Sequence, residues 1–229
     1  MLFDDSVVHT SIVCCLSSML MRPFFSVIVC TFNRSALLPR ALDSVLSQVE
    51  SDWEVVIVDD ASTDDSVQTI QKYTESDPRF RLIRHDRNRG TSAARNTGIE
   101  AATGLFVTFL DSDDAYDPEH LSSRKIMLLQ HPGIHLLHGG VTVIGDPFVV
   151  DKDDPTKTIH VDDCVVGGTF VIRKDVFDLI GGFADLAYAD DAEFHDRAER
   201  TGLMIARTDH PTYIYHRDTP GQATSNHGT

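Results

Sequence analysis

The run Leu105-Phe-Val-Thr-Phe-Leu-Asp111-Ser-Asp113-Asp114 puts three carboxylates within four residues at the end of a short apolar stretch. Apolar, β-branched and aromatic residues in unbroken sequence read as a buried strand. Carboxylates at its carboxyl end stand where open α/β sheets place their ligands. Three negative charges this close repel one another unless a cation holds them. Hard oxygen ligands in a cluster suit Mg²⁺ or Mn²⁺, bound jointly with the phosphates of a substrate. The plainer account of the same residues is a solvated acidic turn ahead of a helix opened by Pro118.

Two further groups have residue types that could join such chemistry. Thr31-Phe32-Asn33-Arg34 follows one apolar run and Asp59-Asp60 follows the next. If those runs are adjacent parallel strands, both groups face one crevice. A carboxylate there can accept a base N–H, Phe32 can lie against a base, and turn backbone can fix a ribose; a turn and helix cap explain part of 59–64 equally well. The third group is Asp190-Asp191-Ala-Glu193-Phe194-His195-Asp196-Arg197. Its acids suit a helix start, where they also serve as caps or dipole partners, but these side chains cannot all face solvent. Helix-terminal placement predicts a lowered pKa for Asp191. His216, in a terminal strand near the same edge, joins Asp113 and Asp114 as a candidate metal ligand. Histidines 85, 120, 131, 138 and 160 have no ligand spacing and read as incidental.

These groups need elements to hold them, and the chain supplies an alternation. Apolar runs at 24–30, 53–58, 80–84 and 105–110 read as strands. Helical spacing marks 35–48, capped by Ser35, then 63–74, 91–103 and 118–130. That βαβαβαβ order predicts an α/β fold with a mostly parallel, doubly wound sheet and right-handed crossovers. Beyond it, strands are expected at 135–144, 167–173, 203–206 and 212–216, with helices at 175–180 and 190–201 and a polar, turn-rich stretch at 146–163. Residues 1–22 read as a weakly ordered extension without signal-peptide or membrane-spanning character, with Met19 or Met21 as an alternative start. The 218–229 tail is small and polar. The predicted domain is therefore 23–217, in two halves over 23–117 and 118–217.

Composition narrows the partners. The 229 residues carry a net charge of −15, which argues against nucleic-acid backbones and against a basic lipid-docking patch. Four cysteines without zinc or framework spacing fit a reducing, cytoplasmic setting, with peripheral contact at the inner face of a membrane left open.

Five ordered stretches carry a resemblance: Ser26 to Arg34, Val56 to Asp64, Asn88 to Gly98, Leu110 to Asp114, and Asp190 to Glu193. In that order they resemble glycosyltransferase family 2, over residues 24–217. The resemblance implies a GT-A-type Rossmann-like sandwich with helices on both faces, a nucleotide-sugar donor, UDP-linked by default, and Mn²⁺ or Mg²⁺ at a D-x-D motif. It also implies inversion at the anomeric carbon, a saccharide, lipid-linked or protein acceptor, and a nucleotide-binding half over 23–117 with an acceptor half over 118–217. By position, Cys30, Thr31, Phe32 and Arg34 would line the nucleotide pocket, with Asp60 and neighbouring Asp59 at the uracil or ribose. Asn88, Gly90 and Arg95 would flank the nucleotide. Asp111-Ser112-Asp113 is the D-x-D, with Asp113 or Asp114 on the cation and Asp111 on the ribose. Asp191 matches the catalytic base; the family more often has Glu-Asp where this chain has Asp190-Asp191. No membrane-anchoring or acceptor-recognition domain is recognisable. A non-catalytic sugar-nucleotide-binding module and a phosphohydrolase of haloacid dehalogenase type are the alternative classes. The second normally has its Asp-x-Asp after the first strand rather than the fourth.

Overall fold

A computed structural model describes residues 22–152, 154, 156–186 and 189–218. Most of the expected 1–22 extension and 218–229 tail lies outside these residues. The first half follows the predicted alternation: β1 (Phe25–Thr31), α1 (Leu38–Leu46), β2 (Trp53–Asp59), α2 (Ser66–Ser76), β3 (Phe80–Arg84), α3 (Thr91–Ala101) and β4 (Phe106–Phe109). Then come β5 (Ala115–Tyr116), α4 (His120–Gln130), β6 (Leu136–His138), β7 (Val141–Ile144), β8 (Phe148–Val150) and β9 (Thr158–His160). A 3₁₀ turn over Gly167–Thr169 precedes β10 (Val171–Arg173), α5 (Val176–Ile180), α6 (Asp190–Arg200), β11 (Ile205–Arg207) and β12 (Tyr213–His216).

Among the described residues the central sheet has the order β11-β6-β10-β4-β1-β2-β3. Its pairings are parallel except where β10 meets β4 and β6. Both faces are covered, which is why β1 and β2 are apolar nearly throughout. Val27 and Val29 point to the side where Leu38, Leu42, Ile70, Leu121 and Leu128 from α1, α2 and α4 pack. Ile28 points to the other side, toward Ile99 of α3, Val176 of α5 and Phe194 of α6. The order of strands reverses between β1 and β4, so their carboxyl ends open on a switch-point crevice.

Several expected boundaries moved. Ser35 does not cap α1: its N–H donates to Asp64 Oδ2 at 3.0 Å, and Pro39 in the first turn sets the start instead. Nor does Thr63 cap α2, which opens at Ser66 with no side-chain cap. The single strand expected over 135–144 is two strands in different sheets. β6 stays in the central sheet, whereas β7 joins β12 and β5 in a three-stranded one. The break falls at Gly139 and Gly140, with φ of 90° and 77°. A Cβ on Gly140 would also lie 2.0 Å from the His210 carbonyl oxygen. Fully buried Arg124 secures the corner, donating to the carbonyls of Gly139 at 3.0 Å and His210 at 3.2 Å.

Candidate functional site

The crevice at the switch point has a volume of about 1120 Å³ and runs past the ends of β2, β1 and β4 to the start of α6. Its first wall comes from the turns after β1 and β2, which are clamped together. Asn33 sits at a φ of 52°, its N–H donates to Ser62 Oγ at 2.9 Å, and its Oδ1 accepts from the N–H of Thr63 at 2.8 Å. Cys30, Thr31, Phe32, Arg34 and Asp60 line this wall. Phe32 is 43% exposed, a large ring left open on the crevice. Thr31 Oγ1 is buried with no protein partner.

The two neighbouring acids of β2 have separated. Asp59 is buried away from the crevice lining, accepts from the N–H of Ser62 at 3.2 Å and pairs with Arg84 at 3.2 Å. Asp60 accepts from the N–H groups of Arg89 and Gly90, each at 2.8 Å. Asn88 and Gly90 line the crevice from this loop.

At the end of β4 the acids separate in the same way. Asp111, Ser112 and Asp113 line the crevice, whereas Asp114 is fully buried beneath them. Its Oδ2 accepts from the Tyr213 hydroxyl at 2.6 Å and its Oδ1 from the backbone N–H of His216 at 2.8 Å. Burial, and then the charge of Asp111, hold the Asp114 carboxyl well above the usual carboxylate range. Both oxygens thus serve the protein scaffold, and His216 meets the cluster through its backbone; its ring nitrogen lies 3.2 Å from Asp218. That leaves Asp111 and Asp113 as the carboxylates on the crevice side. Burial raises the Asp111 pKa, Arg95 draws it back, and Asp113, Asp191 and Asp190 push it up again. Hard oxygens under mutual repulsion are a donor set that fits a divalent cation.

Arg95, nearly buried, ties this loop to α6. Its guanidinium donates to both oxygens of Asp190, at 3.0 and 2.9 Å, and lies 3.4 Å from Asp111. Ser92, one turn earlier on α3, also donates to Asp190 at 3.0 Å. Asp190 is therefore an anchor. Asp191 beside it lines the crevice, accepting from the N–H of Gly167 at 2.8 Å and of Ala192 at 2.8 Å. Its pKa is raised, contrary to the expectation from the helix terminus. Burial is the largest cause, Arg95 opposes it, and the charge of Asp190 adds to it.

Ser92, His85 and the glycine pair 167–168 escaped the sequence reading. A Cβ on Gly167 would stand 2.8 Å from Asp191 Cβ and 3.2 Å from its Oδ2. One on Gly168 would stand 2.2 Å from the Tyr213 hydroxyl. The sequence reading placed the doublet at the start of a strand over 167–173, whereas it opens a 3₁₀ turn ahead of β10. Gly167→Ala should cost about 1–3 kcal/mol of stability through overpacking. A melting curve beside the wild type reads that loss. An unchanged melting temperature would show that the turn accepts a methyl group without displacing Asp191.

Residues 26–152 match the sequence model of glycosyl transferase family 2. Among curated relatives, the chain is 42% identical to the uncharacterized glycosyltransferase EpsJ of Bacillus subtilis, covering 89% of this chain and 64% of EpsJ. It is 35% identical over 131 residues to the putative teichuronic acid biosynthesis glycosyltransferase TuaG of the same organism, covering 57% of this chain and 52% of TuaG. The chain thus spans half to two thirds of these relatives' length. The crystal structure of S. aureus TarS 1-349 in complex with UDP-GlcNAc superposes with a TM-score of 0.74 at 26% identity, covering 90% of this chain and 61% of that one. Among the described residues no helix is long and apolar enough to cross a membrane.

Proposed function

Because the chain belongs to glycosyl transferase family 2, we propose that it moves a glycosyl group from a nucleoside diphosphate sugar to an acceptor hydroxyl, with inversion at the anomeric carbon. The observation that carries this reading is the single crevice lined by Thr31, Phe32 and Asp60 at one end, Asp111 and Asp113 at the middle, and Asp191 at the other. The UDP-GlcNAc bound by TarS, at 26% identity, makes a UDP-sugar the first donor to try.

In this reading Phe32 and Asp60 bind the nucleoside. Asp191 takes the proton from the acceptor hydroxyl as its oxygen bonds to the anomeric carbon and the carbon–oxygen bond to the diphosphate breaks. Mn²⁺ or Mg²⁺ at Asp113, with Asp111 beside it, would supply charge neutralisation for the leaving diphosphate. A retaining path needs a second close carboxylate as nucleophile. Asp190, the nearest candidate in sequence, is held by Arg95 and Ser92, which supports a single displacement.

Nucleoside diphosphate release from a panel of UDP-, dTDP- and GDP-sugars, each with Mn²⁺ and a saccharide acceptor mixture, tests the reading. The expected result is acceptor-stimulated release from one of them; no release from any would overturn it.

The raised pKa of Asp191 has a kinetic consequence. A base works only when ionised, so turnover should rise with pH through that pKa. Because burial lifts it above the ordinary value of about 4, the acid limb of kcat/KM should fall above pH 4. A profile flat down to pH 4 would contradict the assignment.

A further inference from the structure

Asp60 is gripped by one short stretch of chain. Besides the N–H groups of Arg89 and Gly90, its Oδ1 faces Nδ1 of His85 at 2.6 Å. The other ring nitrogen, Nε2, lies 2.9 Å from Thr97 Oγ1 on α3. That hydroxyl also lies 3.0 Å from the Ala93 carbonyl. The carboxylate of Asp60 takes the Nδ1 side of the ring as a third neighbour beside its two N–H groups. His85 therefore bridges Asp60 to Thr97 of α3.

The consequence is a closed loop. Asp60 holds its start through the His85 ring and its end through Arg89 and Gly90. Between them Asn88 faces the crevice, while His85 is buried behind the wall and does not line it. A carboxylate has about four acceptor positions. Three neighbours from this loop fix its rotation and leave one direction open.

We propose that His85 is a positioning residue for the nucleoside half of the donor, acting through Asp60 and the 86–90 loop. The proposal rests on the nucleotide-sugar reading above. With His85 removed, Asp60 can rotate, and the loop loses one of its two ends. Recognition of the nucleoside then falls while the diphosphate end of the crevice, around Asp111 and Asp113, is untouched.

Titration calorimetry of the full chain with Mn²⁺ tests this. UDP, GDP and dTDP are each tried on the wild type, and the tightest binder is carried forward beside inorganic pyrophosphate, which lacks the nucleoside. In His85→Phe, affinity for the nucleotide should fall at least about tenfold, the scale of losing a hydrogen bond to a charged group. Pyrophosphate affinity should stay within about twofold. His85→Gln, which keeps one donor, should show the same selective loss on a smaller scale, and it serves alone if the Phe variant does not fold. In turnover the donor KM should rise about tenfold with kcat within about threefold. Equal losses for nucleotide and pyrophosphate, or a fall in kcat alone, would mean that the ring only supports the fold; unchanged nucleotide affinity would mean that Asp60 holds its place without it. A wild type that binds none of the three nucleotides overturns the donor reading itself, and this inference with it.

Discussion

Asp191→Asn should slow glycosyl transfer at least about a hundredfold, the usual contribution of a general base, while donor affinity and melting temperature stay nearly unchanged. The expectation follows from how the carboxylate is seated. Its two oxygens accept separate N–H groups, from Gly167 and Ala192. Asparagine keeps its size and one of those acceptors, so the structural loss is about 1 kcal/mol. Part of that is offset, because burial and the neighbouring Asp190 charge oppose ionisation of the native group, and the amide carries no charge. What asparagine cannot do is take a proton from an attacking hydroxyl. Single-turnover product formation with saturating donor reads the chemical step directly. Most of the wild-type rate remaining, or a product with the donor's anomeric configuration, would remove Asp191 from the role.

Asp113→Asn should abolish most of the cation-dependent part of donor binding. Asp113 and Asp111 line the crevice, whereas Asp114 is enclosed by Tyr213 and His216. Losing one charged ligand leaves the cation with a weaker, less anionic set. Nucleoside diphosphate affinity measured with Mn²⁺ should fall at least about tenfold, and the gap between measurements with Mn²⁺ and with EDTA should nearly close. The fold should hold, since Asp113 meets its neighbours through its backbone carbonyl, which accepts from Arg40. Equally tight binding with EDTA present in the wild type would show that the acidic cluster needs no cation.

The alternating elements were legible because strands buried on both faces are apolar nearly throughout, as β1, β2 and β4 are. The crevice was legible for a related reason: acids at the ends of such strands have nowhere else to go. Their division of labour was not. Asp59 and Asp60 differ by one residue, yet one is buried and paired with Arg84 while the other lines the crevice. Asp113 and Asp114 divide likewise. Side chains at a strand end alternate between faces, so a one-residue uncertainty in the end of β2 exchanges the roles of Asp59 and Asp60; Asp113 and Asp114 lie in the turn after β4, where no fixed period applies. His85 was missed because its meaning depends on Asp60, 25 residues away in sequence. The lowered pKa expected of Asp191 failed because the helix-terminus argument concerns exposed groups, and burial outweighs it here. The break between β6 and β7 was signalled by Gly139-Gly140, but the apolar residues on either side of the pair masked it.

The Gly167-Gly168 turn bears on how acceptor specificity can be exchanged. One glycine receives Asp191 and the next receives Tyr213, whose hydroxyl reaches Asp114 and, at 3.4 Å, the backbone N–H of Asp111. Asp191 and the 111–114 loop are thus registered against a single turn of the backbone. The segment 146–163, with its two-stranded hairpin, lies upstream of that point and contributes Val149, Val150 and Asp163 to the crevice. Under the proposed function, a graft replacing 146–163 would change the crevice wall offered to the acceptor while leaving the alignment gauge in the host. A graft extending through 168 would import a different gauge, and its reactive groups would have to be matched anew.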